Sequence, residues 1–205
     1  MTWLEQELSK AYEIQTQKLG MSKDCQQEGK VLNRIIRCTD AGWEIEADPR
    51  HAELVVEQLG IEDKGVSTPG VLGIREEDEE GDVPLVGEDI TRYRGVIACC
   101  NYMAADRPDC VFAIKEGSRK MSKPTTGSIR RLRCIGRYLE MHPGLVWKYA
   151  LQGEVNEITV RTDADWAGCR RARKSTSGGS ISRASHCIQT WSALGTKMLC
   201  EDLGE

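Results

Sequence analysis

This sequence has few aromatic residues and lacks the cysteine spacings of a metal site. Only one of its 205 residues is phenylalanine, and aromatic residues make up 5% of a chain that is 40% hydrophobic. Nine cysteines are present, yet no two form a Cys-x-x-Cys pair and none stands with histidine at zinc-site spacing. We therefore expect an aliphatic core with reduced and mostly buried thiols, rather than a disulfide scaffold or a zinc site.

Segments that would direct the chain to a membrane are also missing. No apolar run approaches the length of a membrane span, and the charged start, Met-Thr-Trp-Leu-Glu, lacks the pattern of a secretory leader. The sequence therefore predicts an intracellular protein, in the cytoplasm or the nucleus, with no membrane partner.

Charge is distributed unevenly along the chain, although the net charge is only −4. Residues 1–90 carry a net charge of −12, residues 91–151 carry +8, and residues 152–205 are balanced. A compact segment at +8 is a candidate for contact with a polyanion such as nucleic acid. The simpler alternative is that these charges lie on the solvated faces of helices.

Three short elements are predicted before residue 48. Apolar residues at helical spacing predict a helix over residues 3–12, and residues 13–19 alternate as in a strand. Two strand-like runs flank Thr39-Asp40-Ala41-Gly42, and this arrangement indicates a β-hairpin.

A well-marked helix follows the hairpin. Asp48 is expected to cap it, Pro49 to be its first residue and Gly60 to end it. His51 would lie in the exposed first turn, without a partner for metal binding. One apolar stripe has the spacing of a buried face and consists of Ala52, Val55, Val56 and Leu59.

The middle of the chain combines an acidic run with three helices. Residues 75–82 are mostly acidic and have no apolar period, so they predict a solvated linker. Amphipathic helices are predicted at about 88–105, 108–121 and 125–141. Because their connections are short, we expect an antiparallel bundle that displays most of the +8 charge. The three helices have apolar stripes that begin at Tyr93, Cys110 and Ile129, and the third has a separate basic stripe of Arg130, Arg133 and Arg137.

A carboxylate pair, a basic run and a glycine-rich turn meet at residues 162–179. Residues 157–162 alternate as a strand, which places Asp163 at or near its end. An acid in that position beside basic residues is typical of a nuclease site that binds a divalent metal and a phosphate backbone. Asp165, two residues further on, could face the same side as Asp163 if the strand continued, but in a turn it more simply caps backbone amides. The basic run itself could be a solvated turn or a patch of the nuclear-import type.

Two further strands are predicted after this turn, at 180–183 and 187–191, and they are expected to pair back as antiparallel strands. A strand at 145–149 is expected to pair with the strand at 157–162.

These motifs resemble those of the Pol polyprotein of copia-type LTR retrotransposons. Asp163-Ala-Asp-Trp-Ala-Gly168, with Arg173-Lys-Ser-Thr-Ser-Gly-Gly179, is similar to the opening of its ribonuclease H domain. The segments at 48–52 and 66–69 resemble the part of its reverse transcriptase that follows the catalytic palm strand. Four further motifs resemble its helical thumb and lie at 93–95, 101–104, 106–109 and 121–125.

The resemblance covers nearly the whole chain and implies an α+β fold in four parts. These would be a reverse transcriptase palm remnant (1–69), an acidic linker (70–87), a three-helix thumb-like bundle (88–143) and a truncated ribonuclease H-like domain (144–205).

The resemblance also implies what chemistry remains. Asp163 would be the first metal-binding catalytic carboxylate of a ribonuclease H, with Mg²⁺ as its cofactor. The family's next acid stands in a Ser-x-Ala-Glu-x-Glu-Tyr stretch, which does not follow Trp191 here, although Glu201, Asp202 and Glu205 are acidic. No Asp-Asp dipeptide, which holds the polymerase magnesium ions in the family, occurs either. We therefore expect no DNA synthesis and negligible RNA hydrolysis.

Non-specific binding of an RNA–DNA hybrid or another duplex is the property expected to remain. The missing polymerase portion of a Pol polyprotein could be a second partner. Two alternatives stay open: a metal-dependent ribonuclease H, completed by Glu201, Glu205 or another chain, and a poorly folding relic with an open sheet edge. The residues expected to bind nucleic acid are all basic: Arg94, Lys115, Arg119, Lys120, Lys123, Arg130, Arg133, Arg137, Arg170, Arg171, Arg173 and Lys174.

Overall fold

A computed structural model describes residues 3–62, 64–70, 82–165 and 174–197 of the chain. Within these residues the fold is α+β, as predicted, with five helices and two antiparallel sheets. The chain divides into two compact units, Met1–Glu46 with Val146–Leu151, and Ala47–Leu145 with Gln152–Glu205. This division concerns packing, and the predicted boundaries at 69, 87 and 143 stay predictions.

The first unit is built on a four-stranded sheet with the order β1-β2-β3-β4. Helix α1 (Trp3–Ser9) precedes β1 (Glu28–Val31), β2 (Arg34–Thr39), β3 (Gly42–Glu46) and β4 (Val146–Ala150). The predicted hairpin is confirmed, with Asp40 and Ala41 as its two-residue loop. The predicted strand at 13–19 is wrong, because those residues contribute only a bridge from Leu19 to Gln26.

Strand β4 pairs with β3, which corrects the predicted pairing with the strand after residue 157. In this register Trp43 lies opposite Tyr149, and Ile45 lies opposite Trp147, so the apolar residues of both strands share one face of the sheet. On the other face Glu44 lies opposite Lys148, with 3.4 Å between Oε1 and Nζ. The matched alternation of apolar and charged side chains therefore pairs β4 with β3, which is distant in sequence, rather than with the strand that follows β4.

Four helices of the second unit share one hydrophobic core. They are α2 (Arg50–Leu59), α3 (Glu88–Met103), α4 (Val111–Ser118) and α5 (Thr126–Met141). Helix α2 packs against α3 and α5, so the predicted three-helix bundle gains a fourth member. The predicted apolar stripes are confirmed, since the core includes Ala52, Val55, Leu59, Tyr93, Ile97, Cys100, Cys110, Ile114, Leu132, Ile135 and Leu139.

Helix α4 is shorter than the predicted range 108–121, with turns before and after it. The buried hydroxyl of Tyr93 donates to the carbonyl of Gly117 at 2.7 Å. That carbonyl lies in the last turn of α4 and also accepts the Lys120 N–H at 3.0 Å, so a side chain from α3 joins a backbone donor at the end of the helix. No helix among the described residues combines the length and the apolarity that crossing a membrane requires.

The second sheet has the order β5-β6-β7 and consists of β5 (Ile158–Ala164), β6 (Lys174–Arg183) and β7 (His186–Lys197). The predicted antiparallel pairing is confirmed, but the glycine-rich residues 175–179 belong to β6 rather than to a turn. At Gly179 the ring of Trp191 fills the space of a side chain, because a Cβ there would lie 2.4 Å from a ring carbon. The glycine therefore serves close packing inside the sheet.

The sequence predicts the C-terminal end of α2 correctly but misplaces the cap at its N-terminal end. Pro49, not Asp48, is the cap residue, although Asp48 Oδ1 still accepts the Arg50 N–H at 3.1 Å. His51 is half-buried rather than exposed, with its ring centroid 4.4 Å from that of Tyr102. Gly60 is confirmed as the residue that caps the C-terminal end of α2, directly after Leu59, and its φ of 56° is left-handed.

We predict that Gly60→Ala destabilises the protein by about 1 kcal/mol, because an L-residue is strained at this positive φ. Gly95→Ala is the matched control. Gly95 is an exposed residue within α3, and a Cβ there meets nothing within 4 Å, so it should raise stability by about 0.5–1 kcal/mol. Urea unfolding of both variants measures the difference; equal effects would contradict the assigned cap.

Candidate nucleic-acid interface

Basic groups gather at the turn between α4 and α5, where Arg94 and Lys123 are exposed and Lys120 is half-buried. Arg94 extends from α3 and donates from Nε to the Met121 carbonyl at 2.8 Å and from Nη2 to the Ser122 carbonyl at 3.4 Å. The turn itself carries Lys120 and Lys123. Because carbonyl acceptors do not cancel a guanidinium charge, Arg94 adds positive charge to the surface of this turn.

A second group of basic residues follows one face of α5. Arg130, Arg133 and Arg137 lie three and four residues apart, as the predicted stripe requires. Arg130 is exposed. Arg133 donates from Nη1 to the Leu59 carbonyl at 2.9 Å, and Arg137 donates from Nε to the Lys64 carbonyl at 2.7 Å. Part of this stripe therefore holds the end of α2 and the segment after it.

The carbonyls in the last turn of α2 show why these arginines are placed there. Val56 and Glu57 accept the backbone N–H groups of Ile61 and Gly60. Gln58 accepts Nε of Arg92 at 2.9 Å, and Leu59 accepts Arg133. All four terminal carbonyls thus have donors, and two cations lie at the negative end of the helix dipole. The sequence analysis did not identify Arg92. Its role could have been anticipated, because the last carbonyls of a helix that ends at Gly60 need donors from elsewhere in the protein.

A cavity of about 60 Å³ lies beside Arg92 and Arg133. Its walls combine these guanidinium groups with the apolar side chains of Leu59, Val96 and Leu132.

Two of the predicted basic residues are engaged inside the protein. The Lys115 side chain is 12% exposed, and its Nζ lies 2.8 Å from Glu116 Oε1 and 2.9 Å from Thr176 Oγ1 on β6. Arg119 lies 2.8 Å from Glu116 Oε2. Glu116 therefore offsets charge from both residues, and Lys115 links α4 to the second sheet.

A carboxylate occupies the N-terminus of α5. Asp82 Oδ1 accepts the Gly127 N–H at 2.6 Å and the Thr126 hydroxyl at 2.8 Å. This end of the predicted acidic linker is thus ordered, contrary to its predicted solvated state, while residues 71–81 lie outside the described part. The anion that a helix N-terminus attracts is already supplied by the chain.

One arginine of the +8 segment is a core residue. Arg107 is 3% exposed and lies 2.8 Å from Asp109 Oδ2, which also accepts the Tyr138 hydroxyl at 2.9 Å. Burial disfavours the charged carboxylate, but the hydrogen bonds from Arg107 and Tyr138 outweigh it and lower the pKa of Asp109. Burial and the same carboxylate raise the pKa of Tyr138.

The two acids of the candidate nuclease stretch are placed separately. Asp163 is exposed at the end of β5, and its Oδ1 accepts the N–H of Ala164 at 2.9 Å. Asp165 accepts the N–H of Thr176, which agrees with its predicted role of capping a backbone amide. Among the described residues no three His, Cys, Asp or Glu side chains are grouped closely enough to hold a metal ion. Asp163 and Asp165 alone supply fewer carboxylates than a two-metal centre needs.

The remaining predicted residues belong to the basic run before β6. Lys174 is the first residue of β6 and pairs in register with Lys197. Arg170, Arg171 and Arg173 lie outside the described residues, as do Glu201, Asp202 and Glu205. Their part in binding or catalysis stays a prediction.

Comparisons with known proteins identify relatives among transposon proteins. The chain is 35% identical over 107 residues to "Retrovirus-related Pol polyprotein from transposon RE1" and 34% identical over 107 residues to its RE2 counterpart, both from Arabidopsis thaliana. Each match covers 51% of this chain and 7% of the relative. An uncharacterized mitochondrial protein of the same plant is 26% identical over 147 residues, which are 70% of this chain and 58% of that protein.

The chain thus spans a small part of the two Pol polyproteins and somewhat over half of the mitochondrial protein. No protein-family model and no solved structure matches it. Its homologues are retrovirus-related Pol polyproteins of plant transposons, and the match does not extend to the greater part of those proteins.

We predict that Arg133→Ala lowers the free energy of unfolding by about 1–2 kcal/mol, because the Leu59 carbonyl loses a charged donor. Arg130→Ala, one turn away on the same face, should change it by less than about 0.5 kcal/mol, since Arg130 is exposed. Chemical denaturation of both variants separates the two roles. Equal losses would mean that capping of α2 does not depend on Arg133.

We also predict that stability falls as the pH drops below about 4, near the ordinary pKa of an aspartate. The folded pKa of Asp109 is lowered, so its stabilisation is complete above the unfolded pKa and is lost as the pH falls through the folded pKa. Asp109→Asn should be less stable near neutral pH and less sensitive to acid. The exposed Asp24→Asn is the control in thermal melts, and an unchanged acid profile for Asp109→Asn would contradict the assignment.

Proposed function

We propose that this chain is a segment of a copia-type Pol polyprotein that binds RNA–DNA hybrids and other nucleic-acid duplexes without sequence specificity. It would correspond to the end of the reverse transcriptase and the start of the ribonuclease H region. The observation that carries the proposal is the exposure of three basic residues of the +8 segment, Arg94 on α3, Lys123 in the turn before α5 and Arg130 on α5. Similarity to two retrovirus-related Pol polyproteins supports it.

The chemistry of these side chains suits a phosphate backbone. Lysine and arginine bind phosphate oxygens without reading the bases, and the affinity they give weakens with salt as counterions are released. Arg94 uses Nε and Nη2 for carbonyls and keeps further N–H donors on the same guanidinium. It can therefore be held in place by the turn while it contacts a phosphate.

The positions of Asp163 and Asp165 support binding of nucleic acid without cleavage. Asp163 is the single carboxylate that matches the family motif, and Asp165 is engaged with the backbone of β6. Mg²⁺ binding at Asp163 remains the family's implication, and we derive no hydrolytic step from it. A metal site that Asp163 completes together with carboxylates of another chain would instead support the alternative function, a metal-dependent ribonuclease H.

The proposal predicts that Lys123→Ala and Arg130→Ala each weaken binding to a labelled RNA–DNA hybrid and flatten its salt dependence. Each should lower the slope of log K against log salt by about 1, because one phosphate contact is lost. Fluorescence anisotropy over a salt series measures this. Lys18→Ala removes an exposed lysine from the first unit and serves as the control.

Three outcomes would contradict the proposal. If the wild-type chain does not bind, or if both variants bind like Lys18→Ala, the basic surface of the bundle does not contact nucleic acid. If the hybrid is cut in magnesium and Asp163→Asn abolishes the cutting, the chain is an active ribonuclease H.

A further inference from the structure

Strand β5 presents an open edge. In the described part of the chain it has a neighbour on one side only, β6. Every residue of β5 except Thr159 is exposed, including Ile158 at 64% and Val160 at 57%. It contains no proline or lysine and no bulge against β6, which are devices that discourage pairing at an edge.

The backbone groups on this edge can be assigned by residue. Asp165 donates its N–H to the Thr176 carbonyl at 3.1 Å, so the backbone of Asp165 points toward β6. Backbone direction alternates along an antiparallel strand. The N–H and C=O groups of Val160, Thr162 and Ala164 therefore point away from β6, toward the open edge, where the Ala164 N–H also meets Asp163 Oδ1.

The charged side chains of β5 lie opposite uncharged residues of β6. Arg161 lies opposite Ser180, and Asp163 lies opposite Gly178. Both are exposed and, two residues apart, they share one face of the sheet. A strand that brought an acid opposite Arg161 and a base opposite Asp163 would complement this edge.

A second copy of β5 has that complementary pattern. When two β5 strands run antiparallel with Thr162 on the symmetry axis, each Arg161 lies opposite Asp163 of the second copy. Val160 then lies opposite Ala164 of the second copy on the other face. Centring the pair on Arg161 or on Asp163 instead would place like charges directly opposite each other, which is unfavourable.

We propose that the β5 edge is a self-association surface on which a second copy of this chain adds its own β5, with Thr162 at the two-fold axis. The three-stranded sheet of each copy becomes half of a continuous six-stranded sheet. Main-chain hydrogen bonds supply affinity, and the two Arg161–Asp163 pairs set the register. This inference does not rest on nucleic-acid binding.

Self-association has a consequence for Asp163. The carboxylate that the family motif assigns to a metal lies, in the dimer, directly opposite a guanidinium of the second copy. Association and metal binding at Asp163 would then compete for one carboxylate.

A charge-exchange series on the full chain tests the register. Sedimentation equilibrium over a concentration series, without nucleic acid, should show a dimer for the wild type. Arg161→Glu and Asp163→Arg should each raise the dissociation constant by about tenfold, because two attractive pairs become repulsive. The double variant should recover the wild-type value. Lys18→Glu changes net charge as Arg161→Glu does and should leave association unchanged.

A cysteine at the symmetry axis gives an independent readout. Residues paired through main-chain hydrogen bonds have Cα atoms about 5.5 Å apart, within the range of a disulfide. Thr162→Cys should therefore form a cross-linked dimer on mild oxidation, identified by mass spectrometry as a peptide disulfide-linked to its own copy through the introduced thiol. Thr159→Cys, which lies opposite Asp165 of the second copy, should give no peptide linked to itself.

Three results would overturn the inference. They are a wild-type chain that stays monomeric throughout the series, a double variant no better than either single variant, or a Thr162→Cys chain that cross-links no more than Thr159→Cys. Circular dichroism of each variant shows whether the fold is retained, so that loss of association is not confused with unfolding.

Discussion

The second unit depends on how the last turn of α2 obtains donors for its carbonyl groups. The last carbonyls of a helix accept hydrogen bonds from water or from the protein, and donors supplied by the protein also join its elements. Gly60 turns the chain so that two backbone N–H groups fold back, and Arg92 and Arg133 reach in from α3 and α5 for the other two. One short helix thus fixes the mutual position of three.

This requirement changes what the positive charge of the bundle means. Charge on a helix can serve a ligand or the fold, and a sum over the sequence does not separate the two. The buried Arg107 is paired with the half-buried carboxylate of Asp109, and Glu116 offsets one of the two charges of Lys115 and Arg119. Arg94, in contrast, is fixed by carbonyls that leave its charge in place. A surface for phosphate is therefore narrower than the +8 segment suggests and is concentrated on residues whose charge the fold does not offset.

Local patterns predicted the elements well, whereas contacts between elements were harder to predict. The stripe on α2 and the cap at Gly60 follow from residue spacing and backbone conformation, which neighbouring residues determine. The partner of β4 could not be derived from local patterns. Strand β3 is about 100 residues away in sequence, and the two strands match through tryptophan, tyrosine and isoleucine side chains on one face of the sheet. The roles of Arg133 and Lys115 were also out of reach, since each depends on an acceptor in another element. At the candidate site, Asp163 at the end of β5 followed from sequence, but the engagement of Asp165 by β6 was only one of two alternatives.

The two sheets show how the same alternation of side chains can close a surface or leave it open. In the first sheet Arg37 lies 2.7 Å from Glu28 and 2.6 Å from Glu46, so its charge is matched by strands on both sides. In the second sheet Arg161 and Asp163 stand on one strand and lie opposite a serine and a glycine. Two charges of opposite sign on one strand, two residues apart, are self-complementary only when that strand meets its own copy in the antiparallel direction. The open edge of β5 therefore carries both the outward-facing backbone groups and the charge pattern that a symmetric partner would satisfy, and a partner strand without an acid and a base at those two positions would satisfy only the first.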